Sequence, residues 1–112
     1  MFKEGLLKGK RILVTGGGTG LGKEMATHYA SLGADIVICG RRLNVLEETA
    51  DEIKSNHNVD VLAQSLDIRS PQDVDDFIDQ IFATKPLDGL VNNAAGNFIS
   101  PTKMLSPCLL YT

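Results

Sequence analysis

The chain has 112 residues, 43% of them apolar and 22% charged, with a formal net charge of −3 and a pI near 5.2. That length allows one small domain, and the acidic balance with scattered basic residues excludes the electrostatic footprint of a nucleic-acid or anionic-membrane binder. Cys39 and Cys108 lie far apart, Leu6-Leu7 is the only apolar run before the first strand, and no membrane span is found, so free thiols and a cytoplasmic location are expected.

Short β-branched runs alternate with longer amphipathic segments, which predicts α/β architecture. Lys10 to Thr15 reads as the first strand. A helix is expected from Gly20 to Leu32, with Leu21, Met25, Tyr29 and Leu32 at helical spacing and Gly33 as its stop. Asp35 to Cys39 gives a second strand, with Cys39 a small core residue. The second helix spans Leu43 to Ser55, with Leu43, Leu46, Ala50 and Ile53 on one face and Glu47, Glu48, Asp51 and Glu52 on a solvated one. Val59 to Gln64 reads as the third strand. Ser70 and Pro71 then form a helix start, as N-cap and first helical residue, and Val74, Phe77, Ile78, Ile81 and Phe82 form the clearest apolar stripe. Pro86 to Gly89 turns the chain into a fourth strand, Leu90 to Asn92. This βαβαβαβ series is the first half of a Rossmann-like doubly wound parallel sheet, in which ligands bind at the carboxyl ends of the strands.

The polar residues that matter gather at those ends. Between the first strand and helix lies Thr15-Gly16-Gly17-Gly18-Thr19-Gly20-Leu21-Gly22, a phosphate-binding turn that opens on the positive end of a helix. The spacing G-x-G-x-x-G fails in every frame. The P-loop pattern is met by Gly17, Gly22 and Lys23 but breaks at Glu24, where a hydroxyl should ligate Mg²⁺. Thr-Gly-x-x-x-Gly-x-Gly remains, and it resembles the cofactor turn of the short-chain dehydrogenase/reductase family. After the second strand, where an acid would select NAD, stand Arg41 and Arg42. Their guanidinium groups suit a 2′-phosphate, so NADP(H) is the expected cofactor.

Asn92-Asn93-Ala94-Ala95-Gly96 is similar to the Asn-Asn-Ala-Gly signature of the same family. With the stretch running on to Thr102 and with the glycine turn, the resemblance extends to its 2,4-dienoyl-CoA reductase branch. It implies hydride transfer from NADPH to a conjugated enoyl or dienoyl thioester. It also implies that Gly16, Gly17, Gly18, Thr19, Gly20, Leu21 and Gly22 hold the pyrophosphate side of the cofactor and that Asn93 and Ala94 pass beside the nicotinamide ribose. Asp67 and Ile68 would meet the adenine, although Asp67 also suits plain turn chemistry. Asn97 and Phe98 are the residues that could touch the substrate, with Asn97 equally suited to capping a turn and Phe98 to the core. The full-length relatives are expected to be homo-oligomers acting on a small-molecule thioester, with no nucleic-acid or membrane partner.

The catalytic segment of the family, a Tyr four residues before a Lys, has no counterpart here. Tyr29 is followed four residues on by Gly33, and Tyr111 is one residue from the end. Residues 1–112 are therefore expected to form the N-terminal NADP-binding part of a single Rossmann-fold domain, inactive by itself and with no catalytic or metal-binding residue of its own. A non-catalytic NADP-binding or interaction module is the alternative, and a P-loop nucleotide binder a more distant one. With the fourth strand as an open edge, Val91, Phe77 and Ile81 are expected to be incompletely buried and the isolated chain to aggregate.

Overall fold

The computed structural model describes residues 5–18, 20–67 and 69–92. The elements are β1 Arg11–Thr15, α1 Gly20–Ser31, β2 Asp35–Gly40, α2 Leu43–His57, β3 Val61–Ser65, α3 Pro71–Thr84 and β4 Gly89–Asn92. The four strands form one sheet in the order β3-β2-β1-β4, and all pairings are parallel. The chain therefore steps outward from β1 to β3 and then returns to the other side of β1. That reversal is the switch point where such sheets open a crevice.

The register brings the strand ends level. Thr15 pairs with Cys39 on one side and with Asn92 on the other, and Gly40 pairs with Ser65. Side-chain alternation along buried parallel strands then divides the core in two. Ile12, Val14, Ile36, Ile38 and Val91 face α1 and α2, where Ala26, Ala30, Leu46, Ala50 and Ile53 meet them. Leu13, Val37, Cys39 and Leu90 face the other way, against Val74, Phe77, Ile78 and Ile81 of α3.

The helix starts and stops follow local chemistry. Ser70 caps α3, its Oγ accepting from the Asp73 N–H at 3.4 Å with Pro71 at the first helical position. α2 runs two residues beyond the expected Ser55, because Asn58 closes it in the left-handed region at φ 53°. Asn tolerates that conformation better than most side chains.

Three expectations about packing are corrected. The buried face of α1 is Gly22, Ala26 and Ala30. Met25 and Tyr29 only flank it, and Leu21 is 60% exposed. Small residues at this spacing let the helix approach the sheet closely, so bulk was the wrong guide to the contact face. On α2 the inward residue that the apolar stripe omitted is Thr49, whereas Leu43 in the first turn stays 43% exposed. Val91, Phe77 and Ile81 are all buried, since α1 and α2 cover one side of the sheet and α3 the other. Within the described residues β4 pairs only with β1.

One long-range device secures α3. The Arg11 guanidinium donates from one Nη to the carbonyls of Ile81 and Lys85, each at 3.0 Å, adding to the Lys85 N–H that the Ile81 carbonyl already takes at 3.3 Å and placing a cation at the negative end of the helix. The backbone of Arg11 is held by Asp88 as well, through its N–H to the carboxylate at 2.9 Å. Replacing Arg11 with Met keeps the aliphatic stem and removes the donors. Urea unfolding of Arg11→Met is expected to show a loss of about 1–2 kcal/mol.

Candidate functional site

The first loop of the site is built by backbone constraint. The Gly16 N–H donates to the Cys39 carbonyl at 2.8 Å, pinning the start of the glycine turn to the end of β2. Gly16 then turns the chain at φ 66°, and Gly20 enters α1 at φ 58°. Between them the turn is pressed onto its neighbours. A Cβ on Gly17 would stand 2.5 Å from Cγ2 and 2.8 Å from Cβ of Ile38, and one on Gly18 would stand 3.2 Å from Val45 and 3.3 Å from Leu46. Above Gly20 nothing among the described residues lies within 4 Å of the corresponding point. The turn is packed beneath and open at the start of the helix, the arrangement an anion needs to reach backbone N–H groups at a positive helix end.

Thr49 contributes to this turn and was missed in the sequence. Its Oγ1 donates to the Gly18 carbonyl at 2.7 Å across 31 residues, and the side chain is buried. The available signal was its position: it lies three residues after Leu46 and four before Ile53, a hydroxyl on a core-facing stripe that needs a partner.

After β2, Arg41 and Arg42 are both exposed. Arg42 occupies the N-cap position of α2 with extended backbone (φ −109°, ψ 98°) and no side-chain capping bond. Its carbonyl takes the Leu46 N–H. Two cations at the start of a helix, with no described hydrogen bond to either guanidinium, give this corner a positive field.

The loop after β3 is closed by Asp67 and Arg69. The Asp67 carboxylate accepts from the Arg69 backbone N–H and Nε through one oxygen and from Nη2 through the other, each at 3.0 Å. Turn chemistry for Asp67 is thus present. The hydrogen bonds from the Arg69 side chain, then that from its backbone, hold the Asp67 carboxyl down at about 2, and the charge of Arg41 acts in the same direction. Arg41 and Asp67, from successive loops, therefore belong to one electrostatic neighbourhood.

The sign of this effect fixes a pH window. A carboxyl depressed in the folded state favours folding above the ordinary carboxylate range, and that contribution disappears as pH falls toward about 2. In Arg69→Ala, an NMR pH titration of Asp67 is expected to move the midpoint up toward the ordinary 3.8.

Two other candidates are settled by their surroundings. Lys23 reaches across to Glu52 of α2 at 2.8 Å, and this pairing raises its pKa. Cys39 is wholly buried, and burial pushes its thiol up to about 12, which keeps it protonated and inert at neutral pH. Thr19, Ile68, Asn93, Ala94, Asn97 and Phe98 lie outside the described residues, as does Cys108. The structure brings together the glycine turn, Arg41, Arg42 and Asp67 at the carboxyl end of one parallel sheet.

That arrangement defines a Rossmann-like α/β fold, and the sequence comparisons narrow it further. The sequence model of the short chain dehydrogenase family matches residues 10–108, and the chain belongs to that family. A Caenorhabditis elegans protein named "Probable 2,4-dienoyl-CoA reductase 3 [(3E)-enoyl-CoA-producing]" is 49% identical over 96% of this chain and 35% of its own length. Among solved structures, a citronellol catabolism dehydrogenase of Pseudomonas aeruginosa PAO1 superposes with a TM-score of 0.81 at 38% identity, over 96% of this chain and 44% of that one. The L-sorbose reductase of Gluconobacter frateurii, solved with NADPH and L-sorbose, gives 0.78 at 28% identity, over 94% and 40%. The chain thus spans about a third of the length of the curated relative. No helix among the described residues is long and apolar enough to cross a membrane.

Proposed function

We propose that residues 1–112 are the N-terminal NADP(H)-binding part of an oxidoreductase that reduces an enoyl- or dienoyl-CoA thioester. The observation that carries this reading is the pairing of a glycine turn, packed beneath and open at the start of α1, with two exposed arginines where an acid would select NAD. The NADPH in the sorbose reductase structure and the dienoyl-CoA reductase name of the C. elegans relative support it.

The residues present fit the cofactor. When bound, it supplies the hydride. The turn from Gly16 to Gly22 receives the pyrophosphate, Gly16 by fixing its start through the bond to the Cys39 carbonyl and the residues after it through their backbone N–H groups, and Arg41 with Arg42 takes the 2′-phosphate. The Asp67 carboxylate, held ionised and oriented by Arg69, accepts from the adenine amino group, with Ile68 beside it. Asn93 and Ala94 border the nicotinamide ribose, and Asn97 and Phe98 meet the thioester. The reading carries homo-oligomerisation of the whole protein. It also carries a cytoplasmic location, in keeping with the free thiol of Cys39; recovery of the tagged chain with organelles would contradict that.

A coupled test separates binding from turnover. The 112-residue chain is expected to bind NADPH and to oxidise none of it in the presence of a 2,4-dienoyl-CoA. Extension through the reading frame beyond Thr112 is expected to add a Tyr-x-x-x-Lys segment and restore oxidation. Turnover by the chain alone, or a genomic frame that stops at Thr112 without that segment, would overturn the proposal.

A further inference from the structure

We propose that Thr49 is a positioning residue that aims the glycine turn at the cofactor pyrophosphate; the inference rests on the NADP(H) reading above. Gly18 lies on α2, with Val45 and Leu46 close beneath it and the Thr49 hydroxyl bonded to its carbonyl at 2.7 Å. A carbonyl fixed in direction fixes its whole peptide plane. A phosphate turn recognises its anion through the orientation of such planes, so one buried hydroxyl on α2 controls a feature that composition assigns to the glycines alone.

The same helix begins at Arg42, beside Arg41. α2 therefore presents the 2′-phosphate contacts at its N-terminus and, two turns later, holds the pyrophosphate turn from below. The ion pair between Lys23 and Glu52 at 2.8 Å ties the first turn of α1 to the same helix. Thr49 is distinguished within this arrangement because its hydroxyl bonds the turn backbone two turns away from the arginines at the start of the helix.

Loss of the hydroxyl should accordingly damage one end of the cofactor site and spare the other. Thr49→Val keeps the shape and removes the donor. Thr49→Ala removes it with the residue most favourable to a helix, so the test stays open if the valine variant does not fold. Thr49→Ser restores the hydroxyl. Binding is measured by calorimetry on the 112-residue chain with NADPH and with adenosine 2′-monophosphate, which carries the 2′-phosphate and no pyrophosphate.

Thr49→Val and Thr49→Ala are expected to raise the Kd for NADPH by about ten-fold while that for adenosine 2′-monophosphate changes by less than about two-fold. Thr49→Ser is expected to bind both like the wild type. Unchanged NADPH binding in either folded variant, or an equal loss for the two ligands, would overturn the positioning role. So would failure of both variants to fold, which would mark Thr49 as a requirement of the fold alone. A wild-type chain that bound neither ligand would overturn the cofactor reading itself, and this inference with it.

Discussion

Gly17→Ala is expected to be among the most damaging single substitutions in the chain, lowering stability by about 2–3 kcal/mol and NADPH affinity by at least about ten-fold. The added methyl would stand 2.5 Å from Ile38 Cγ2, 2.8 Å from Ile38 Cβ and 3.2 Å from the Val14 carbonyl oxygen. None of these atoms can retreat cheaply. Ile38 is fully buried at the centre of the sheet, and its Cβ moves only with the backbone of β2. The strain would instead lift the turn and carry the peptide planes around Gly18 out of alignment. Gly20→Ala offers a contrast, because nothing among the described residues lies within 4 Å of its added methyl and the cost against them is the strain of φ 58°, about 1–2 kcal/mol. A steric origin at Gly17 predicts coupling with its neighbour. In chemical denaturation, Gly17→Ala with Ile38→Ala should lose less than the sum of the two single variants; simple additivity would refute the clash.

Arg41→Asp is expected to invert cofactor preference. Charge-assisted hydrogen bonds to a 2′-phosphate contribute about 1.5–3 kcal/mol, so NADPH affinity should fall roughly 10- to 100-fold. NADH affinity should hold or improve, since a carboxylate at this strand end accepts from both ribose hydroxyls. Equal losses for both cofactors would indicate damage to the loop rather than to recognition.

The elements were largely legible because their signals are local. Ser70 and Pro71 announce α3, and the alternation of β-branched runs with amphipathic ones yields the βαβαβαβ order. The glycine turn and both arginines could be read in the same way, since each follows a strand. What escaped was set by distance or by size. Gly22, Ala26 and Ala30 form the contact face of α1 and carry too little bulk to register as an apolar stripe. Arg11 reaches the end of α3 across 70 residues, and Thr49 reaches Gly18 across 31; no pattern in a short window links them. Arg69 is only two residues from Asp67 and holds both of its carboxylate oxygens, but an Asp-x-Arg spacing is too common to mark such a clasp. Val91 is buried despite the edge position of β4, because an edge leaves backbone groups unpaired whereas α1, α2 and α3 cover both faces of the sheet.

The central claim is that this corner of the sheet was built for a 2′-phosphorylated dinucleotide. Its most direct test is a calorimetric titration of the 112-residue chain with NADPH and, separately, with NADH. NADPH is expected to bind at least about ten-fold more tightly; equal affinity for the two would contradict the account.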